Sequence, residues 1–380
     1  SGQAAGRGQS RLEDEITPDN YLIFDRSKTL MILQEIMRDH DTTKDGQWAQ
    51  RALELAARAR VTVFGDFALD AYWLIDPDQS ELSVETSLPV RRVRKQHYSL
   101  GGAANVTANL LALGVSELRT VGMLGDDLFA RELLLRLDRI GADTAGMLAC
   151  QSDWQTQVFA KPHLNDREQN RTDFGGFNVP SPESVDTLIA ALDAAAQRSD
   201  VIVLNQQVPA GLSTDAMIER LNALIARHAD KLFVTDSRHR PGAYRGGILK
   251  MNSHEAASLA GEPMNLSTEI REDRAIQLAR QACDRTGRAV FVTRGADGII
   301  VAERDSVHVE PGIGADGPID PVGAGDTVTA AIAAVLGGGG APVLAGRLAN
   351  AAARVTVGKL QMTGTARPDE ILAIANDLEK

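Results

Sequence analysis

From Arg60 onward, short segments rich in β-branched residues alternate with longer segments of helical periodicity. The predicted strands are "VTVFGD", "ELRTVGML", "VIVLN", "KLFVTD", "AVFVTRG" and "GIIVAE". The predicted helices cover Asp126 to Ile140, Pro182 to Gln197, Ser213 to His228 and Glu269 to Thr286. This alternation predicts an α/β fold with a mostly parallel sheet, helices on both faces, and ligands at the carboxyl ends of the strands.

Two segments, 87–99 and 156–175, do not follow that alternation. Both alternate apolar with polar residues, and the second contains a turn near Asn165. They predict a small antiparallel outgrowth of the sheet, either a lid over a site or a plain surface hairpin.

Residues 1–59 are predicted to form an extension, and residues 60–380 the main domain. The extension begins with "SGQAAGRGQS", which is small and polar and predicts disorder. Two helical patterns follow, "RSKTLMILQEIMRDH" and "GQWAQRALELAARAR", and their apolar spacing predicts packing elements.

The formal net charge is −11, from 40 Lys and Arg against 51 Asp and Glu, and aromatic residues make up 4%. Because there is no basic block, neither nucleic acid nor an anionic membrane surface is predicted as a partner. No apolar run is long enough to span a bilayer. Cys150 and Cys283 lie far apart without metal-ligand spacing, which favours a reducing, cytoplasmic location.

The stretch "DPVGAGDT", residues 320–327, comes directly before the alanine-rich run "VTAAIAAVL". Gly323 and Gly325 allow the backbone to turn its N–H groups outward, and such a turn at a helix N-terminus binds anions, most commonly phosphate. Asp326 fits two interpretations: it caps the helix, or it takes a proton from a hydroxyl that attacks the phosphate. The sequence contains no G-x-x-x-x-G-K-[ST] motif, so ATP would bind without a Walker loop.

Five segments resemble, in this order, the signatures of the ribokinase-like (PfkB) carbohydrate kinases. They are "GGAANVTANLLALG", "KMNSHEAASLAG", "VTRGADG", "DPVGAGDTVTAAIAAVL" and "NAAARVTVGKLQ". The resemblance implies a three-layer α/β/α domain with a mostly parallel central sheet and a small antiparallel β lid. It also implies ATP and Mg²⁺ as cofactors.

One branch of that family, the D-glycero-β-D-manno-heptose 7-phosphate kinases, is more similar than the others. The similarity lies in "GDFALDAYWLID", "LSVETSLPVRRV", "YSLGGAANV" and "NRTDFG". Two features depart from the branch: "NQQVPAG" lacks the lysine of the usual D-Y-x-K-G, and the nucleotidyltransferase half of the bifunctional members is absent.

The resemblance implies transfer of the γ-phosphoryl group of ATP to a hydroxyl of a sugar phosphate of the heptose 7-phosphate type. One alternative is a related kinase of an unphosphorylated sugar or nucleoside. Another is a non-catalytic sugar or nucleotide sensor, although a sensor need not retain Asp326 and its glycine turn.

The resemblance also implies roles for the residues around the phosphate. Asp326 would be the general base, and the backbone N–H groups of Gly323, Ala324 and Gly325 would stabilise the charge on the transferred group.

The nucleotide and its metal would be held by five further residues. Asn252 and Glu255 would hold Mg²⁺ through water, with a helix cap as the alternative interpretation. Thr293 and Gly295 would contact the nucleotide phosphates. Asn350 would face the adenine, or would be a polar group packed within its helix.

On the sugar side, Asp66 and Asp70 would accept hydrogen bonds from hydroxyl groups, with Gly101, Gly102 and Asn105 beside them. Asp66 is at the carboxyl end of a predicted strand, where ligands gather in such sheets, whereas Asp70 also suits a turn.

The predicted lid carries basic residues that could bind a substrate phosphate. Arg171, in the segment that resembles R-x-D, is the first candidate and Lys161 the second. Alternation along a strand gives Arg92 and Arg94 a shared face and turns Arg91 away. A solvated rim of charges is the alternative.

A lid standing alone would expose strand edges and an apolar face. In the family that the chain resembles, such lids often pair across a twofold axis. A homodimer joined at the lid is therefore predicted.

Overall fold

The computed structural model describes residues 47–78, 81–149, 153–165 and 167–378. All of these belong to one compact unit, Lys44–Lys380. The predicted disordered start and the first predicted helix of the extension lie outside the described residues, as does Cys150. The domain boundary at residue 60 stays a prediction.

A nine-stranded sheet forms the centre of the described structure and contains all six predicted strands. Six of its eight neighbouring pairs are parallel, and the two at one edge are antiparallel. In spatial order the strands are β16 (Val307–Pro311), β15 (Gly298–Ala302), β14 (Val290–Thr293), β13 (Ile248–Asn252), β12 (Leu232–Ser237), β11 (Val201–Gln206), β1 (Arg60–Gly65), β6 (Glu117–Leu124) and β7 (Asp143–Ala149).

Helices cover both faces of this sheet, because its central strands are apolar on both faces. Along β11, Val201 and Val203 join one buried cluster, whereas Ile202 and Leu204 join another. The first cluster includes α1 (Trp48–Ala56), α2 (Ala103–Leu113), α3 (Leu128–Arg139), α8 (Ala324–Gly337), α9 (Pro342–Val357) and α10 (Pro368–Asp377). The opposite face carries α4 (Pro182–Ala196), α5 (Asp215–Arg227), α6 (Ser253–Leu259) and α7 (Glu272–Thr286).

The four predicted helices are α3, α4, α5 and α7, and three of them begin at a capping side chain. Asp127, Ser181 and Thr214 each accept a hydrogen bond from a backbone N–H of the following first turn. No helix in the described ranges is both long enough and apolar enough to cross a bilayer.

Helix α1 is a packing element, as its spacing predicted. Its buried residues, Trp48, Ala49, Ala52, Leu53 and Ala56, recur at helical spacing and therefore form one face. That face contacts α8, the helix that follows the glycine turn.

A second sheet, here called the lid sheet, contains the strands of both predicted lid segments except the short strand at Pro89–Val90. Its strands are β2 (Phe67–Ile75), β5 (Val93–Gly102), β8 (Gln157–Leu164), β9 (Arg167–Glu168) and β10 (Thr172–Phe174). Strand β2 was not predicted; it pairs antiparallel with β5 and parallel with β8. Two short strands, β3 (Glu81–Leu82) and β4 (Pro89–Val90), form a separate hairpin.

Candidate active site

A cavity of about 470 Å³ is lined by residues of the lid sheet, of the carboxyl ends of β12 and β13, and of the turn before α8. From the predicted sugar side, Asp70, Gly102, Lys161 and Arg171 line it. From the predicted phosphate side, Asn252, Glu255, Gly323, Gly325 and Asp326 line it. The fold therefore brings two groups of residues together that are far apart in the sequence.

Asp326 lies in the first turn of α8, but its side chain does not cap that helix. The N-cap is Gly323, whose φ of 81° is left-handed, and no side chain caps the helix. The Asp326 carboxylate instead accepts a hydrogen bond from Asn105 Nδ2 at 3.0 Å. The capping interpretation is therefore wrong for this side chain.

Asn105 is held in place by a chain of hydrogen bonds between α2 and α8. Asn109 Nδ2 donates to Asn105 Oδ1 at 3.2 Å, and Thr327 Oγ1 donates to Asn109 Oδ1 at 3.1 Å. The amide oxygen of Asn105 is thereby occupied, and its N–H group points at the carboxylate of Asp326. Asn105 is only 1% exposed, so it contacts the candidate base from the protein interior.

The carboxyl group of Asp326 has a pKa raised to about 7. Burial is the main cause, because it disfavours the charged form, and the negative charges of Asp236 and Asp70 add to it. Asn105 and Lys250 act in the opposite direction. A carboxylate with such a pKa can both take and release a proton near neutral pH.

The backbone of the glycine turn offers N–H groups at the start of α8. The N–H of Ala324 already donates to the Pro321 carbonyl at 3.2 Å. Within the described part of the chain, the N–H groups of Gly323 and Gly325 have no acceptor. These two groups, together with the N–H of Asp326, which likewise has no acceptor there, are therefore free to bind an anion.

Lys250, which was not predicted, brings a positive charge to the same place. Its ammonium group lies 2.9 Å from Asp236 Oδ2, and both side chains are buried. A methyl group on Gly325 would come within 3.1 Å of Lys250 Nζ. Thr329 Oγ1 of α8 also donates to Asp236 Oδ2, at 2.7 Å. This buried network fixes β12 and β13 against the glycine turn.

A second buried ion pair lies on the lid sheet. Lys161 Nζ is 2.5 Å from Asp70 Oδ1, and both side chains are almost fully buried. Gly101 makes room for this carboxylate, since a methyl group there would lie 2.7 Å from Asp70 Oδ2. Asp70 is therefore a strand residue paired with a lysine, and not a turn residue.

Arg171 lies at the rim of the cavity and is oriented by two neighbours. Its Nε and Nη2 donate to the two carboxylate oxygens of Asp173, at 2.7 and 2.8 Å. Its guanidinium lies 4.8 Å from the centre of the Phe159 ring. The other basic set of the lid is engaged outside the cavity, Arg92 with Glu81 and Arg94 with Asp76.

Asp66 is buried and does not line the cavity. Its carboxylate accepts hydrogen bonds from the backbone N–H groups of Gln207 and Val208, at 2.8 and 3.1 Å. Burial raises the pKa of this carboxyl to about 6, although these two bonds oppose the rise. Asp66 anchors the loop after β11, and its predicted contact with the sugar stays a prediction.

Asn252 and Glu255 form the capping box of α6. Asn252 Oδ1 accepts from the Glu255 N–H at 2.9 Å, and Glu255 Oε2 accepts from the Asn252 N–H at 2.7 Å. Glu255 Oε1 takes no part in the box, and both residues line the cavity. The described residues contain no cluster of three or more acidic, histidine or cysteine side chains spaced for a metal ion. The pair of Asn252 and Glu255 therefore fits Mg²⁺ that is bound mainly through water and substrate phosphates, rather than Mg²⁺ enclosed by protein ligands.

The three predicted nucleotide residues do not line the cavity. Thr293 ends β14 directly beside Asn252 of β13. Gly295 follows at a left-handed φ of 60° with open space above it. Asn350 is buried and donates to the Pro311 carbonyl at 2.7 Å, which is the packed arrangement. Their contacts with a nucleotide stay predictions.

Comparison with known proteins supplies close and distant relatives. Residues 59–369 match the family described as pfkB family carbohydrate kinase. The chain is 31% identical over 317 residues to a D-beta-D-heptose 7-phosphate kinase of Bordetella bronchiseptica, covering 82% of this chain and 95% of that protein. It is 35% identical to the bifunctional protein HldE of Halorhodospira halophila over 322 residues, 83% of this chain but only 63% of that longer protein.

Solved structures match the fold at low sequence identity. Phosphofructokinase-2 from Escherichia coli has a TM-score of 0.68 and 16% identity, over 85% of this chain and 100% of that one. Ribokinase from Arabidopsis thaliana, complexed with ribose and ATP, has a TM-score of 0.64 and 18% identity, over 84% and 99% of the two chains. The predicted ribokinase-like α/β/α fold is thereby confirmed.

Proposed function

The chain belongs to the pfkB family of carbohydrate kinases, and we propose that it transfers the γ-phosphoryl group of ATP to a hydroxyl of a sugar phosphate of the heptose 7-phosphate type. One observation carries the reaction type. Asp326, with its raised pKa, is held at the N-terminus of α8 beside the free N–H groups of the glycine turn. A proton acceptor and an anion site thus lie within one turn of helix.

In the proposed mechanism, Asp326 takes the proton of the acceptor hydroxyl as that oxygen attacks the phosphoryl group. The N–H groups of Gly323 and Gly325 and the ammonium group of Lys250 face the charge on the transferred group. Asn105 keeps the carboxylate of Asp326 aimed at the cavity.

Asn252 and Glu255 are the residues that would hold Mg²⁺, through its water molecules. When bound, this ion neutralises nucleotide phosphate charge. Thr293, the last residue of β14, and Gly295, two residues further on, are proposed to contact the nucleotide phosphates, and Asn350 the adenine side.

The acceptor is proposed to be a phosphorylated sugar because the lid end of the cavity carries cations. Arg171 presents part of its guanidinium at the rim, and Lys161 lies deeper beside Asp70. The relative that is 31% identical is a heptose 7-phosphate kinase by name. Asp173 and Asp70 already neutralise these two cations, so a substrate phosphate would bind the part of the Arg171 guanidinium that Asp173 leaves free.

A phosphate-transfer screen tests this proposal directly. The panel contains D-glycero-D-manno-heptose 7-phosphate, sedoheptulose 7-phosphate and mannose 6-phosphate, together with mannose, ribose and adenosine. We expect the heptose 7-phosphate to have the highest kcat/KM. A preference for ribose, mannose or adenosine would favour the related-kinase alternative, and no transfer to any compound would favour a sensor.

We further propose a cytoplasmic homodimer joined at the lid. A kinase that consumes ATP works where ATP is supplied. The hairpin of β3 and β4 carries exposed apolar side chains, Leu82, Val84 and Leu88, which a partner would cover.

A further inference from the structure

Among the residues that the structure describes, four cationic side chains line the cavity, and three of them are ion-paired. The pairs are Lys161 with Asp70, Arg171 with Asp173, and Lys250 with Asp236. The fourth is Arg238, whose guanidinium has no ion-pair or hydrogen-bond partner anywhere in the described ranges. An unpaired guanidinium at a cavity wall is available for a ligand.

The backbone fixes Arg238 at the main-sheet end of the cavity. It follows β12, two residues after Asp236, and its own N–H donates to the Gln206 carbonyl of β11 at 3.0 Å. Strand β13, the neighbour of β12, ends at Asn252. Arg238 therefore lies on the side of the capping box and not on the lid strands.

Electrostatic effects agree with this division into two ends. Burial raises the pKa of the Glu255 carboxyl, and the charge of Arg238 is among those that oppose the rise. Burial likewise raises the pKa of Asp70, opposed by Lys161 and Arg171 of the lid. Each arginine thus acts on the acid at its own end.

The charge balance shows why an unpaired cation matters. The acids of the lining outnumber its four cations by one; they are Asp70, Glu168, Asp236, Glu255 and Asp326. A polyphosphate entering such a cavity is repelled unless a positive group is free to bind it. A guanidinium can bind two phosphate oxygens at once through parallel hydrogen bonds.

We propose that Arg238 binds the polyphosphate chain of the nucleotide at the β12 end of the cavity. The proposal adds a nucleotide-binding residue to the proposed kinase function and rests on that function. It gives the two arginines of the cavity different roles: the unpaired Arg238 binds the phosphoryl donor, and Arg171, which is paired with Asp173, binds the acceptor.

Nucleotide binding, measured by calorimetry without turnover, tests the role of Arg238. The probes are ADP, the non-hydrolysable analogue AMP-PNP, and adenosine. In Arg238→Ala we expect the Kd of ADP and of AMP-PNP to rise about tenfold or more, because a charge-assisted contact is lost. The Kd of adenosine, which has no phosphate, should not change. Arg238→Lys keeps the charge without the fork and should recover part of the loss.

Arg240→Ala is the matched control. Arg240 lies two residues further on the same loop, but its guanidinium pairs with Asp215 at 2.5 Å and lines a separate cavity of about 330 Å³. This variant should bind ADP as the wild type does. Thermal unfolding of all variants shows whether a change in affinity comes from loss of folding.

Two results would overturn the proposal. One is wild-type affinity of Arg238→Ala for ADP and AMP-PNP. The other is weaker binding of sedoheptulose 7-phosphate with unchanged ADP binding, which would move Arg238 to the acceptor end. If the wild type binds nucleotide and transfers phosphate, either result removes this inference alone. If the wild type does neither, the proposed function fails and the inference fails with it.

Discussion

At the scale of single residues, the proposed mechanism depends most on the carboxylate of Asp326, the proposed general base. Asp326→Asn removes the proton acceptor while retaining the side-chain volume. We expect kcat to fall by ~10²-fold or more, the loss typical of a general base. A steady-state assay on the preferred acceptor measures it. Normal turnover of the variant would contradict the assignment.

The stability of Asp326→Asn separates catalysis from folding. The pKa of Asp326 is raised to about 7, so the folded state binds this proton more tightly than the unfolded chain does. The resulting stability is present at acid pH and is lost as the pH rises through about 7. Asparagine does not ionise, so the variant does not lose stability in this way as the pH rises. At pH 8 it should therefore unfold at a temperature no lower than that of the wild type. A large drop would indicate a structural role.

The pH dependence of the wild-type rate follows from the same group. A base works only when ionised, so kcat/KM for the acceptor should rise with pH and level off above about 7, the raised pKa of Asp326. A base with an ordinary aspartate pKa would level off near pH 4 to 5, at about its model-peptide value. A rate profile that is flat between pH 5 and 8 would contradict the assignment.

In the proposed function, Arg171 is the residue that binds the phosphate of the acceptor. Arg171→Ala should raise the KM for the sugar phosphate by a factor equivalent to about 2 kcal/mol, roughly 30-fold, with the KM for ATP unchanged. Arg94→Ala is the control, because Arg94 is an exposed lid arginine paired with Asp76 away from the cavity. Equal KM values in the two variants would remove Arg171 from the site.

At the scale of elements, the start of α8 depends on a glycine that no other residue replaces well. A methyl group added to Gly323 would lie 2.7 Å from Asn105 Nδ2. The backbone at this position also has a φ of 81°, which residues with a side chain rarely adopt. Gly323→Ala should therefore displace Asn105 and with it Asp326, so that kcat falls at least tenfold, on the order of one lost positioning contact. The measurement is kcat on the preferred acceptor.

Gly339→Ala is the control for backbone strain. Gly339 has a similar φ of 86°, just beyond the other end of α8, but nothing lies within 4 Å of the added methyl. Both variants lose stability, about 1 kcal/mol from the left-handed backbone. Only Gly323→Ala should lose activity, and equal kcat values would contradict the role of Asn105.

The elements that the sequence predicted are those with a strong local signal. Strands such as β11 and helices such as α4 have β-branched runs, periodicity and capping residues that act over a few positions. Strand β2 was missed because "FALDAYWLI" is apolar almost throughout, without alternation, and follows Gly65 and Asp66, which resemble a turn. The glycine turn and Asp326 were predicted because their residues are adjacent in the sequence.

The side chains that surround Asp326 and the glycine turn were not predicted as their partners, because these contacts join segments that are far apart in the sequence. Asn105 is 221 positions away from Asp326, and nothing local to "GGAANV" says which carboxylate its amide faces. Lys250 and Asp236 meet because β12 and β13 are neighbours, paired at Thr235 and Leu249. Asp66 was predicted to bind sugar, but its loop contacts decide where its carboxylate points.

At the scale of the whole molecule, the exposed hairpin of β3 and β4 suggests how two copies meet. Val84 is 95% exposed, and Leu82 and Leu88 are more than half exposed. We expect a dimer by light scattering at micromolar concentration, and Val84→Asp should shift it to monomer because a charge would be buried in the contact. Leu266→Asp, at a site 80% exposed in another loop, should leave the dimer intact. A monomeric wild type would contradict the lid-joined assembly.

The cavity is built by two separately hydrogen-bonded sheets, and this construction affects how such a chain can diversify. Asp70 and Lys161 belong to the lid sheet, whereas Lys250 and Asn252 belong to the central one. A substitution on a lid strand can reshape the pocket for one ligand while the residues facing the other keep their backbone register. With the acceptor at the lid and the donor at the central sheet, as proposed above, descendants of one ancestral chain can therefore acquire new acceptors by mutation of a few lid residues and inherit the residues for the shared donor unchanged.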